Sequence, residues 1–279
     1  MNVPHIVSFY GYDYENLPYT NPIWNKRYKI LFDEADIFLC EGSHGAKLMK
    51  KIGCQQEKIR IVKLGVDVNQ ISVQRRSKSP ETLKLLQVAS LTGKKGHIYT
   101  VKAFVEALRS CPNMNLTLVG RNYEGTKEKI QAIIEKSGIN DKVNIYEAVD
   151  FDHLHEFMKD YHVFIHPSCH TEERDCEGGA PVVLMDAQAT GMPVISTYHC
   201  DIPDVVVDNH TGILVKEKDI YGLTEAINRF YFMKDNEYDK FCENAREHIE
   251  KNYNSQDNAN ILKNVYDDIV LKYSQKIKT

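Results

Sequence analysis

Between residues 83 and 215 short apolar runs alternate with stretches that carry apolar residues at helical spacing, and this alternation constrains the fold more than any other feature. Residues 83–89, 115–119, 143–146 and 163–166 read as strands, with helical stretches at 98–110, 127–136 and 152–159 between them. Strands separated in this way connect through helical crossovers, so the expected class is α/β with a parallel, doubly wound sheet. Ligands of such sheets sit at the carboxyl ends of the strands.

The segment 177–204, EGGAPVVLMDAQATGMPVISTYHCDIPD, reads as loop, helix, turn and strand. Gly178 and Gly179 permit positive φ and let a ligand approach the peptide groups, and Pro181 suits a helix start because it has no N–H to lose. The unpaired N–H groups and positive dipole end of a helix beginning near Pro181 favour a phosphate, while Glu177 and Asp186 flank it as acceptors for hydroxyls. A nucleotide sugar carries both kinds of group. An ordinary helix start has the same local pattern, so the segment needs support from elsewhere in the chain.

The 279 residues carry a net charge of −4 and are 42% hydrophobic, which fits a soluble globular protein and offers no basic excess for nucleic acid. No apolar run reaches the length of a membrane span, and residues 1–9 are too short and lack the basic lead of a secretion signal, so the expected compartment is the cytoplasm. Seven scattered cysteines without a C-x-x-C pair read as reduced thiols.

The segment around Glu177 resembles the donor-binding signature of retaining glycosyltransferases of family four, which have the two-Rossmann GT-B fold. In that family two glutamates flank the segment, the first touching the donor sugar and the second the ribose. Here the acids are Glu177 and Asp186, nine positions apart and one more than the family pattern, with the extra residue in the loop of Gly178, Gly179 and Ala180. The resemblance implies a sugar role for Glu177 and a ribose role for Asp186. Asp175 and Glu173, on the same charged loop, are alternatives to Glu177.

The resemblance extends along the chain. Tyr10-Gly11 ends the first apolar run where the family has His-Gly, so Gly11 is expected as a close-approach glycine near the donor sugar. Gly65-Val66-Asp67 is similar to the strand end before the family's domain crossover, and the polar, basic residues 72–80 read as the linker. Lys95, in the SLTGKKGH turn, matches a lysine that binds the donor diphosphate; Ser90 stands where the family has an arginine, and either Lys94 or nothing replaces it. Gly120-Arg121 matches a glycine turn close to the nucleotide, making Arg121 either a phosphate or base contact or a surface arginine.

Three parts are implied: residues 1–79 as the remnant of an acceptor-side Rossmann-like domain with its linker, 80–250 as the nucleotide-sugar domain, and 251–279 as a C-terminal helix crossing back. A complete first domain takes about 150 residues, so its first part is expected to be missing here.

The activity implied is transfer of a hexosyl group from a UDP- or GDP-sugar to an acceptor hydroxyl of a glycan or glycolipid, with retention and with neither metal nor cofactor. Lys95 and the amides of Gly178, Gly179, Ala180 and Pro181 are expected to stabilise the leaving diphosphate. Lipid-linked acceptors would bring the chain to the inner membrane face, where Lys47, Lys50 and Lys51 either make contact or form a solvated helix surface. Two rival functions are a nucleotide-sugar-binding fragment or subunit without transferase activity, and a dinucleotide oxidoreductase, for which the G-x-G-x-x-G turn is lacking. No metal ligands are expected. Asp150-Phe151-Asp152 opens a helix, where Asp150 suits the cap; His153 and His155 diverge on that helix; and His162, His166 and His170 would share a face only on a helix, whereas YHVFIHPS is a strand ending at proline.

Overall fold

The structure, a computed structural model, describes residues 3–76 and 82–278. The first part holds strands β1 (Ile6–Ser8), β2 (Ile37–Cys40) and β3 (Ile59–Ile61), with helices α1 (Tyr12–Glu15), α2 (Leu17–Thr20), α3 (Ile23–Glu34) and α4 (Ser43–Lys51). The second holds six strands: β4 (Leu83–Val88), β5 (Met114–Val119), β6 (Val143–Tyr146), β7 (Val163–His166), β8 (Val194–Thr197) and β9 (Gly212–Val215). Its helices are α5 (His97–Ala107), α6 (Thr126–Ser137), α7 (Leu154–Met158), α8 (Val182–Ala189), α9 (Ile202–Val205), α10 (Ile220–Phe232) and α11 (Asp235–Asn252), and α12 (Ser255–Lys278) follows.

Both sheets are parallel throughout, in the orders β1-β2-β3 and β6-β5-β4-β7-β8-β9. The second is the Rossmann order, and its direction reverses between β4 and β7. Alternation along each strand divides the apolar residues between two faces. Leu83, Leu85, Leu116, Leu118, Val163 and Ile165 join Phe104 of α5 and Phe230 of α10 in one core, whereas Leu86, Val119 and Phe164 join Leu184 of α8 and Ile249 of α11 in the other. Strands β7 and β8 are buried at every position, which is why they read as unbroken apolar runs.

The small sheet is covered on both faces as well. Phe9 and Phe38 pack on Tyr28 and Phe32 of α3 and Met49 of α4, while Ile37 and Leu39 pack on Ile269 of α12, with Leu262 and Val265 alongside. Two chain segments therefore pass between the sheets, and they run side by side. The Val66 N–H donates to the Tyr253 carbonyl at 3.0 Å and the Ser255 N–H to the Val66 carbonyl at 3.0 Å. A Cβ on Gly65 would lie 2.4 Å from the Tyr253 oxygen, so the crossing needs glycine there.

The chain between and at the edges of the two units is held by side chains from the other segments. The segment 72–80 is not a free linker over its described part: Arg76 is buried and donates to the carbonyls of Tyr161 and Thr190 and to the Thr190 hydroxyl, fastening the strap to the six-stranded unit. The expected boundary between 79 and 80 lies in 77–81, outside the described residues. Ser43 does not cap α4 with its own side chain. Gly42 holds the cap position, and Asp204 accepts from the Ser43 N–H at 2.8 Å and its hydroxyl at 3.0 Å, so a carboxylate from the other unit complements that helix end. Among the described residues, no helix is long and apolar enough to cross a membrane.

Candidate active site

The loops after β4 and β7, at the reversal of strand order, bring several of the expected residues together. Gly96 has φ +71, and a Cβ there would lie 2.0 Å from the Pro167 carbonyl oxygen, so only glycine lets the turn after β4 lie against the end of β7. That turn is held from within: the Gln87 amide donates to the Lys95 carbonyl at 2.7 Å, and Thr100 donates to Gln87 at 2.7 Å. Lys95 is thereby aimed across the switch point, where its Nζ lies 2.6 Å from Glu177 Oε2. Ser168 donates to Glu177 Oε1 at 2.8 Å. The Glu177 N–H donates to His199 Nε2 at 3.1 Å, which puts the ring proton on Nδ1, 2.7 Å from Glu217 Oε1.

Burial pushes the Glu177 carboxyl up, but the neighbouring His166 and Lys95 outweigh it and hold the group well below the usual carboxylate range. His166 Nε2 stands 3.5 Å away, long for a hydrogen bond, so the close partners Lys95 and Ser168 define the geometry. His166 and His97 are themselves buried and lowered by desolvation, His97 to about 3, and are neutral imidazoles. Lys95 is the cation that matches the Glu177 charge.

Across the cleft the small-sheet unit reaches the same loop. Gly11 and Gly178, both at positive φ, meet backbone to backbone: a Cβ on Gly11 would lie 2.5 Å from the Gly178 Cα, and one on Gly178 would lie 2.2 Å from the Gly11 Cα. The Tyr14 hydroxyl donates to the Gly178 carbonyl at 3.1 Å. A Cβ on Gly179 would lie 2.0 Å from Glu41 Oε2. Gly178 and Gly179, whose amides are expected to serve the diphosphate, are therefore buried against the Gly11 turn and the Glu41 carboxyl. Glu41 is raised to about 7, by burial and then by the neighbouring Asp201.

The remaining expected residues are distributed around this centre. Pro181 occupies the cap position of α8, and Ala180 lines a water-sized space of about 10 Å³ with Glu41, Met185 and Asp201. Asp186 is buried on α8 with its Oδ1 2.9 Å from His155 Nε2. Arg121 is exposed beyond β5, where its carbonyl accepts from the Leu91 N–H at 2.8 Å. Lys94 is not placed beside Lys95: its Nζ donates to Asp175 and to the Cys176 carbonyl, both at 3.1 Å, and so fastens the charged loop. Sequence reasoning missed Ser168, His199, Glu217 and Glu41. The first three lie at or just beyond the ends of β7, β8 and β9, where the strand-end rule applied to every strand would have found them. A cavity of about 370 Å³ opens beside Glu41, lined by Phe9, Tyr10, Lys63 and Leu262.

Residues 69–248 match the family model described as Glycosyl transferases group 1. The chain is 32% identical over 254 residues to the putative colanic acid biosynthesis glycosyltransferase WcaL of Escherichia coli K12, covering 89% of this chain and 60% of that protein. It is 26% identical over 204 residues to the amylovoran biosynthesis glycosyltransferase AmsK of Erwinia amylovora, covering 73% of this chain and 49% of that one. The chain therefore spans about half to three fifths of the length of these relatives. Among solved structures, Anabaena Alr3699/HepE in complex with UDP superposes with a TM-score of 0.80 at 14% identity, over 95% of this chain and 72% of that one. Sucrose-phosphate synthase from Thermosynechococcus elongatus gives 0.76 at 17% identity, over 96% and 68%. The fold is GT-B, and the chain belongs to the group 1 glycosyltransferases and is similar to those of family four.

Proposed function

We propose that the chain binds a nucleotide diphosphate sugar at the β4–β7 switch point and transfers its hexosyl group, with retention and without a catalytic metal, to a hydroxyl of a glycan or lipid-linked acceptor. The observation that carries this reading is the Lys95–Glu177 pair at 2.6 Å, a cation and a sugar-binding carboxylate brought together from two strand ends. Lys95 is a point charge suited to the diphosphate, and Glu177, fixed by Ser168 and by its own N–H, is an acceptor suited to sugar hydroxyls. Asp186 serves the ribose, with His155 holding its carboxylate. For a donor to reach the amides of Gly178 and Gly179, the Gly11 turn and Glu41 must draw back.

As the glycosidic bond breaks, negative charge grows on the leaving diphosphate, and the fixed ammonium of Lys95 stabilises it in a partly dry cleft. The acceptor enters through the cavity beside Tyr10 and Glu41. The names of the relatives, glycosyltransferases of colanic acid and amylovoran biosynthesis, support an acceptor in polysaccharide biosynthesis, with UDP or GDP as the expected nucleotide. The site is expected to work on the cytoplasmic side, with the α4 lysines toward an anionic membrane face.

The test is nucleotide release from a panel of UDP- and GDP-sugars by the whole chain. Glu177→Ala is expected to lower turnover by about 10²-fold or more while changing nucleotide affinity little. Tight donor binding with no nucleotide release from any donor would instead favour a binding subunit.

A further inference from the structure

Beside Glu177 lies a second cluster that sugar transfer leaves unused. Glu15 of α1, His170 and Cys176 in the loop after β7, and Cys200 just past β8 each offer one ligand atom, and the four atoms lie within 4.8 Å of one another. Glu15 and Cys176 are buried. Cys200 holds a left-handed backbone at φ 46, a conformation cysteine seldom adopts.

We infer that Glu15, His170, Cys176 and Cys200 form a binding site for a divalent transition metal, zinc above all, which ties the small-sheet unit to the donor loop. Two sulfurs, one imidazole and one carboxylate are a donor set that zinc takes in tetrahedral geometry, whereas magnesium and calcium take oxygen. With metal–ligand bonds of about 2.0 to 2.3 Å, the edges of that tetrahedron are about 3.3 to 3.8 Å, so the cluster needs only a small contraction to close on an ion.

The surrounding residues orient the ligands as a metal site requires. Glu217 accepts from the His170 N–H at 2.9 Å and faces its Nδ1 at 2.9 Å, which leaves the Nε2 lone pair for the ion and forms a carboxylate–imidazole support. The same Glu217 holds His199, whose Nε2 accepts the Glu177 N–H, so one network joins the cluster to the donor carboxylate. His44 is hydrogen-bonded to Glu15 Oε1, leaving Oε2 as the second carboxylate oxygen. A second grouping, of His170, His199 and Glu217, needs no ion because Glu217 already bonds both rings. Binding displaces the two thiol protons and leaves both sulfurs as thiolates, with no change of oxidation state. All four ligands come from the protein, so the ion has no open position and acts as a structural clamp beside Glu177.

The test begins with the whole chain purified without chelators under reducing conditions. Elemental analysis is expected to find about one zinc per chain. After chelation and dialysis, Co²⁺ should produce thiolate-to-cobalt charge-transfer absorption, lost in Cys176→Ser and in Cys200→Ser variants whose circular dichroism is native. Glu15→Gln should weaken Zn²⁺ binding by about tenfold or more. The inference is overturned if the wild-type chain neither retains zinc nor gives the cobalt band, if the band survives in the folded double serine variant, or if peptide mapping finds Cys176 and Cys200 joined as a disulfide. The wild-type spectrum decides even if the variants fail to fold.

Discussion

The two units bring carboxylates in opposite electrostatic states to one cleft. On the six-stranded side, Glu177 is buried but paired at 2.6 Å with Lys95 and remains an anion. On the three-stranded side, Glu41 faces Gly179, and burial with Asp201 nearby raises it to about 7. A buried carboxylate with a fixed cation is prepared in advance for a ligand that exchanges for one of the two partners. A carboxyl near half-protonation has no such partner and responds to pH and to whatever enters the cleft. The six-stranded side, the proposed donor half, is thus preorganised, and the other half is adjustable.

The largest effect expected from breaking this contrast is at Lys95. Lys95→Ala leaves Glu177 charged and buried without its partner, and should cost about 3–5 kcal/mol in urea unfolding together with most of the donor affinity. A loss below about 1 kcal/mol would mean that the pair behaves like an exposed one and that the donor half is not preorganised. Next is the contact between the halves. Gly178→Ala drives a methyl into the Gly11 backbone at positive φ and should cost about 1–3 kcal/mol. Gly138→Ala is the control, since it shares the positive φ, at +65, but meets nothing within 4 Å; it should cost about 1 kcal/mol. Equal losses at the two positions would show that the Gly11–Gly178 contact adds nothing.

The smallest effect is the pH response of Glu41. Its folded value, about 7, lies above the ordinary 4.5, so the folded chain holds this proton more tightly than the unfolded chain does. The associated stability is fully present below pH 4.5 and is lost as pH rises through about 7. The acidic groups near Glu41 are Asp201, the Tyr14 phenol and the Cys40 thiol. Glu41→Gln should flatten the fall in melting temperature over that window, and an unchanged slope would place the titration elsewhere.

Legibility in the sequence followed the range of the interactions. Strand β7 is visible to the residue because its burial is written in the consecutive apolar side chains of Val163, Phe164 and Ile165, and α8 begins just after Pro181, which holds the cap position. Lys95 and Glu177 were singled out because their loops resemble a family's motifs, and the fold brings the two to 2.6 Å of each other. Contacts between distant segments left no local trace. Asp204 reads as one more acid in a loop until α4 arrives at it, Arg76 reads as a linker cation until the Thr190 carbonyl appears beside it, and Cys176 and Cys200 read as scattered thiols until β7 and β8 bring their loops together. Glu41 ended an apolar strand and gave no periodic signal of the glycine it would face.

The central claim is that the donor is held at the ends of β4 and β7, and amide hydrogen exchange with a bound nucleotide sugar tests it most directly. The account predicts protection concentrated in residues 89–96 and 177–187, diminished in Lys95→Ala. Protection confined to other segments at concentrations where the nucleotide binds, or no binding by any UDP- or GDP-sugar, would contradict it.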